Sequence, residues 1–201
     1  MKILNFGDDR ELWLEARLGK VTGSKLNGLI NKRGTEKKKG FYELIAERVA
    51  IPATEERPME RGLRLEEEAM ERFEKETKKK VDKSLVLWVD EENESIAISP
   101  DGFIGKTEAI EVKCLNSANH IEAWLTQEIP DEYYFQKLQY FIVNPKLKTL
   151  YFTFYDDRIP AKDFFYLIVN RSELEVEIER YRKEELELIL EIEKITIELT
   201  F

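Results

Sequence analysis

The sequence predicts an α/β (α+β) fold: a central mixed sheet flanked by helices, spanning residues 1–201 as a single domain. Three observations point there. Helix-period and strand-like segments follow one another as helices, strands, helix, strands, helix. The strand-like runs are short, and the later ones are rich in aromatic and β-branched residues. A chain of 201 residues, 42% hydrophobic and 11% aromatic, can bury one sizeable core and still carry a cleft, and it contains no internal repeat or interdomain linker.

The elements are expected in the following order. Residues 22–31 read as a short helix, and residues 31–40 as a basic loop bounded by Gly34 and Gly40. Residues 41–50 place Phe41, Leu44, Ile45 and Val49 at helical spacing. A stronger helical pattern covers residues 60–79, with Leu65, Ala69, Met70 and Phe73 on one stripe. Residues 84–89 and 94–99 flank the polar turn Asp90-Glu91-Glu92-Asn93 and read as a hairpin. Pro100-Asp101-Gly102 interrupts, and residues 109–115 supply another strand. Residues 131–143 read as a helix with Pro130 at its start. Strands are expected at 147–155 and 164–169, and a Glu-rich helix from an N-cap at Ser172 to about Lys194. That last helix can serve an interface or present a solvated face.

Composition excludes several classes. No apolar run is long enough to cross a bilayer, and the first nine residues lack the apolar core of a signal peptide. One cysteine, Cys114, makes no intramolecular disulfide, and one histidine, His120, makes no zinc cluster with it alone. The expected setting is a reducing cytoplasm, without membrane association. No Gly-x-Ser-x-Gly elbow, P-loop or His-Glu-x-x-His is present. The 36% of charged residues favours long charged helices or a heat-adapted source. The net charge is −9, yet residues 1–50 hold 11 Lys/Arg against 7 Asp/Glu and are basic. The field at a groove, not the total, governs phosphate attraction, so an acidic total is compatible with DNA binding without suggesting it.

The chemistry concentrates around Ile110-Glu111-Val112-Lys113-Cys114. On a strand, Glu111 and Lys113 share one face while Ile110, Val112 and Cys114 face the core. Ser99-Pro100-Asp101-Gly102 lies just upstream, and a hairpin would bring Asp101 beside Glu111. Two adjacent carboxylates repel unless a cation sits between them, and Mg²⁺ suits oxygen donors that leave room for water and phosphate. Lys113 would position an attacking water and offset charge developing on phosphorus. This is the PD-(D/E)xK arrangement of many nucleases; the plain reading of Glu-x-Lys alone is an exposed strand pair.

Glu66 shares a helical face with Ala69, Met70 and Phe73, where a carboxylate needs a cation or a basic partner, whereas Glu67 and Glu68 point to solvent. Gly62, on the same face, would permit close backbone approach. Gln136 has Tyr133 and Tyr140 on its side of a helix, and its amide could hold the water or a phosphate oxygen. Ordinary aromatic packing explains that spacing equally well, and Gln139 competes on nearly the same face.

Together these residues resemble the phage lambda exonuclease family, the viral-recombinase and alkaline-exonuclease branch of the PD-(D/E)xK superfamily. Trp13 to Ser24 is similar to its W-x3-R-x-G-x-[IV]-T-[AG]-S element, and Gly62 to Glu66 to its G-x3-E helix. Ser99-Pro100-Asp101-Gly102 and Glu111-Val112-Lys113-Cys114 match its central motifs, and Tyr133 with Gln136 its Tyr-x2-Gln element. By this resemblance the restriction-endonuclease-like core carries a single exonuclease domain, with Asp101, Glu111 and Glu66 as metal ligands. Lys113 and Gln136 or Gln139 join the catalytic set, and Arg17, Ser24 and Ser99 seat phosphate. The resemblance implies Mg²⁺, with Mn²⁺ as a substitute, and 5′ to 3′ digestion of linear double-stranded DNA ends that leaves 3′ single strands for recombination. A homotrimeric ring and a single-strand annealing protein as partner are implied in the same way. The competing readings are a RecB-like or structure-selective endonuclease of the same superfamily, and a noncatalytic DNA-binding or interaction module.

Overall fold

The computed structural model describes residues 11–12, 38–51 and 58–200. The helix expected at residues 22–31, and with it Arg17 and Ser24, lies outside them. Two helices open the main described part, α1 (Lys39–Val49) and α2 (Pro58–Thr77). A short antiparallel pair follows, β1 (Trp88–Val89) with β2 (Ala97–Ile98). Next come β3 (Gly102–Ile104), β4 (Glu108–Lys113), α3 (Ser117–Thr126), α4 (Tyr134–Val143), β5 (Thr149–Tyr155), β6 (Phe164–Asn170) and α5 (Glu175–Thr200).

The main sheet runs β3-β4-β5-β6 and is mixed, as the sequence predicts: β4 and β5 are parallel, and the two outer pairings are antiparallel. A parallel pair needs a crossover, and α3 and α4 provide it. Both central strands are covered on two faces, which is why Leu150 to Tyr155 are all buried. On one face, Leu65, Ala69, Met70 and Phe73 of α2 pack against Ile110, Val112, Tyr151 and Tyr155. On the other, Leu138, Phe141, Ile142 and Val143 of α4 pack against Ala109, Leu150, Phe152 and Phe154. The stripe read from helical spacing in α2 is thus the one that meets the sheet.

The element boundaries depart from expectation in ways that have local causes. Helix α1 begins at Lys39, inside the segment expected as a loop. The hairpin strands shrink to two residues each because Asp90 caps its own turn, accepting from the backbone amides of Glu92 and Asn93 at 3.0 Å. The expected helix 131–143 is a 3₁₀ turn, Asp131–Tyr133, followed by α4. Ser172 is not an N-cap: it sits in the 3₁₀ turn Arg171–Glu173, and α5 begins only at Glu175. Arg171 pins that turn by donating to the carbonyls of Leu147 (2.8 Å), Asn144 (2.9 Å) and Phe141. Helix α5 is also more than a solvated face. It packs on α4, and its Arg182 reaches the buried Asp90 at 2.7 Å.

Helix α3 was not expected. Asn116 caps it by accepting from the Asn119 amide at 3.0 Å, and Gln127 ends it in the left-handed region at φ 56°. Its buried face, with Ala118 and Ile121, packs with Tyr42 of α1 and with Ile159. A buried polar network anchors the start of α3: Asp156 accepts from the Ser117 hydroxyl and from Arg158 at 2.9 Å. The close approach expected at Gly62 does not occur among the described residues, since nothing lies within 4 Å of where its Cβ would stand. Gly102 is the crowded glycine. A Cβ there would meet Val81 at 2.5 Å and Met70 at 3.1 Å, so α2 and the segment after it can close over β3 only because residue 102 has no side chain. Among the described residues no helix is long and apolar enough to cross a membrane.

Candidate active site

Strand β4 carries the centre of the site. Its alternation sends Ile110 and Val112 toward α2, and Ala109 into the α4-side core together with the face that bears Glu111 and Lys113. Glu111 is only 2% exposed, and the Lys113 ammonium meets its Oε1 at 2.7 Å. Register places the second carboxylate. Gly102 pairs with Ile110 across β3 and β4, so the next residue outward, Asp101, falls opposite Glu111. The Val112 amide donates to Asp101 Oδ2 at 2.7 Å, which fixes that carboxyl at the strand edge.

Helix α4 closes the site from above the sheet. Gln136 donates through Nε2 to Glu111 Oε1 at 2.6 Å, and four residues on, the Tyr140 hydroxyl donates to Glu111 Oε2. Tyr133, just before α4, lies under the Lys113 ammonium, 4.5 Å from its ring centroid. The three side chains read from the sequence as one helical side therefore converge on Glu111 and Lys113. Gln139, the competing glutamine, faces α5 instead and bonds Glu185 at 2.8 Å. The role of Gln136 differs from expectation: in this structure it holds a carboxylate.

Electrostatics link the remaining members. Burial, then the neighbouring Glu111 and Glu66, push the Asp101 carboxyl from its ordinary 3.8 up to about 7, against the opposing pull of the Val112 amide and Lys113. Glu66, half-buried on α2, is raised by burial first and by Glu111 second, and lowered by Lys113. Glu66, Asp101 and Glu111 thus feel one another and a common ammonium. Among the described residues, however, no three His, Cys, Asp or Glu side chains stand gathered as an ion-holding group. The carboxylates influence one another without converging. Glu111 in particular takes Lys113 and Gln136 on Oε1 and Tyr140 on Oε2.

Other expected positions separate from this centre or refine it. Ser99 is exposed, and its hydroxyl donates to the Val86 carbonyl at 3.0 Å. Glu68, expected in solvent, accepts from the Tyr155 hydroxyl at 2.8 Å and from Arg64 at 2.6 Å, tying α2 to β5. Cys114 is partly buried and packs against the α2-side core. Sequence reasoning missed Thr153, whose hydroxyl holds the Glu111 carbonyl at 3.0 Å from the neighbouring strand. No local pattern signals it, because the contact depends on the β4–β5 register.

With the geometry in place, comparison with known proteins is informative. The sequence profile of the YqaJ-like viral recombinase domain matches residues 12–146, a stretch that includes every candidate site residue read from the sequence. Among solved structures, the chain is similar to an alkaline exonuclease (LHK-Exo) from Laribacter hongkongensis. Identity is 32% and the TM-score 0.60, covering 94% of this chain and 98% of that one. The structure of LHK-Exo in complex with dAMP matches at 31% identity and the same TM-score of 0.60, over 94% of this chain and 98% of that one. No curated protein matches this sequence.

Proposed function

The chain belongs to the YqaJ-like viral recombinase family, and from that premise we propose a Mg²⁺-dependent exonuclease that hydrolyses linear double-stranded DNA from 5′ to 3′. Its product is a duplex with 3′ single strands suited to recombination. The observation that carries this reading is the register that sets Asp101 opposite the buried Glu111, with the Lys113 ammonium on Glu111 at 2.7 Å.

The residues fit a hard divalent cation. They offer oxygen donors only, and burial first, then the negative charge of Glu111 and Glu66, lifts the Asp101 carboxyl to about 7. Asp101, Glu111 and Glu66 would hold the ion, with Mn²⁺ as a substitute. A bound ion of this kind supplies a more acidic water and a polarised phosphate. Lys113 contributes an ammonium fixed between Glu111 and the Tyr133 ring, placed to offset charge that develops on the phosphate oxygens. Gln136 keeps Glu111 oriented through Oε1. Arg17, Ser24 and Ser99 are proposed to seat the 5′-phosphate end, and the basic residues 1–50 to favour the DNA backbone. A homotrimer encircling the duplex and a single-strand annealing partner complete the proposal. The relative's complex with dAMP, a mononucleotide, is in keeping with digestion that releases nucleotides from an end.

Duplex labelled at each end, with and without 5′-phosphate and in Mg²⁺ or EDTA, tests the reading. Label is expected to leave the 5′ end first, faster with phosphate, and not at all in EDTA. Undiminished digestion in EDTA, or release from the 3′ end, would refute it. A covalently closed circle should survive; its cleavage would transfer the site to an endonuclease of the same superfamily.

A further inference from the structure

We propose that Tyr140 is a positioning residue of the metal site: its buried hydroxyl locks Glu111 in the orientation from which that carboxylate serves as a ligand. The inference rests on reading the site as a metal-dependent nuclease and adds a residue to it.

Tyr140 is 0% exposed, on the face of α4 that looks onto β4. Its ring is held by Trp88, edge-on at 6.2 Å between centroids, and Trp88 in turn meets Phe103 of β3 at 5.9 Å. The phenol oxygen therefore has little freedom to move. It donates to Glu111 Oε2, while Gln136, one turn earlier, takes Oε1 at 2.6 Å. One helix face thus grips both oxygens of the carboxylate. A tyrosine hydroxyl meets the carboxylate as a neutral O–H donor. A neutral donor suits this position. It orients a ligand without cancelling its charge, whereas Lys113 on Oε1 offsets that charge. Groups that orient a metal-bound carboxylate commonly contribute a substantial share of metal affinity.

The test is Mn²⁺ binding by titration calorimetry to wild type, Tyr140→Phe and Asp101→Asn, with circular dichroism to check folding. Tyr140→Phe removes the hydroxyl and leaves the ring in place. It should weaken Mn²⁺ binding about 10- to 100-fold and raise the Mn²⁺ concentration for half-maximal digestion in parallel. The rate at saturating Mn²⁺ should recover, and duplex binding in EDTA should not change. Wild-type Mn²⁺ affinity in Tyr140→Phe overturns the inference while leaving the nuclease reading intact. So does a variant that no longer folds, since the hydroxyl would then serve the core. A wild-type chain whose Mn²⁺ binding is absent, or is unaffected by Asp101→Asn, sinks the nuclease reading and this inference together.

Discussion

Replacing Asp101 by Asn should stabilise the metal-free protein and, by the same physics, disable it. The Asp101 carboxyl is raised from 3.8 to about 7 by burial, Glu111 and Glu66. An acid whose pKa is higher in the folded state keeps a proton that the unfolded chain releases. Its contribution to stability is therefore fully present below 3.8 and is lost as pH rises through about 7. At about 1.36 kcal/mol per pH unit, that interval sets a ceiling on the order of 4 kcal/mol lost at alkaline pH. Asn keeps an acceptor for the Val112 amide, now 2.7 Å from Asp101 Oδ2, and carries no charge at any pH. In EDTA at pH 8.5, Asp101→Asn should therefore melt higher than wild type, with a ceiling of roughly 8–16 °C for a chain of this size. Near pH 3.5 the two should coincide if both remain folded. Mg²⁺ should narrow the gap at pH 8.5 by stabilising wild type and not the variant. The measurement is thermal or urea unfolding at both pH values, with and without metal. An Asn variant no more stable than wild type at pH 8.5 in EDTA, or equally shifted at both pH values, would refute the claim that a crowded, desolvated carboxylate is held there.

Three further expectations follow from the contacts. Gln136→Ala, which releases Glu111 Oε1, should slow digestion strongly, while Gln139→Ala, which breaks only the bond to Glu185, should leave the rate near wild type; equal losses would show that the site is not organised as described. Lys113→Ala should lower the digestion rate by at least about 100- to 1,000-fold with duplex binding retained in a gel-shift assay, and near-normal turnover would remove the ammonium from the chemistry. Phe73→Ala, at a fully buried ring that meets Tyr151 at 5.0 Å and Tyr166 at 5.6 Å, should cost about 3–5 kcal/mol of stability, read as a lower urea midpoint at unchanged slope.

Some parts of this protein were legible in one dimension because they depend on local periodicity. The α2 stripe of Leu65, Ala69, Met70 and Phe73, and the alternation that sets Glu111 and Lys113 apart from Ile110 and Val112, follow from the pitch of a helix and the pleat of a strand. So does the shared face of Tyr133, Gln136 and Tyr140. Helix α3 was missed although its signal was present: a capping Asn116, then Ala118 and Ile121 three apart, in a stretch to which no element was assigned. The N-cap assigned to Ser172 failed because Arg171, holding three carbonyls of another segment, imposes a 3₁₀ turn that no local rule contains.

By itself, then, the sequence determined which residues share a face, and so the mixed sheet and its two covering helices. Only the tertiary structure decided what those faces meet. It made Gln136, not Gln139, the partner of Glu111, gave Gly102 rather than Gly62 the close approach, and enclosed Glu111 between α4 and a neighbouring strand. The physical reason is that periodicity is set within a few residues by backbone geometry. Strand register, the choice between two glutamines three residues apart and the desolvation that lifts Asp101 arise from surfaces brought together across long stretches of chain.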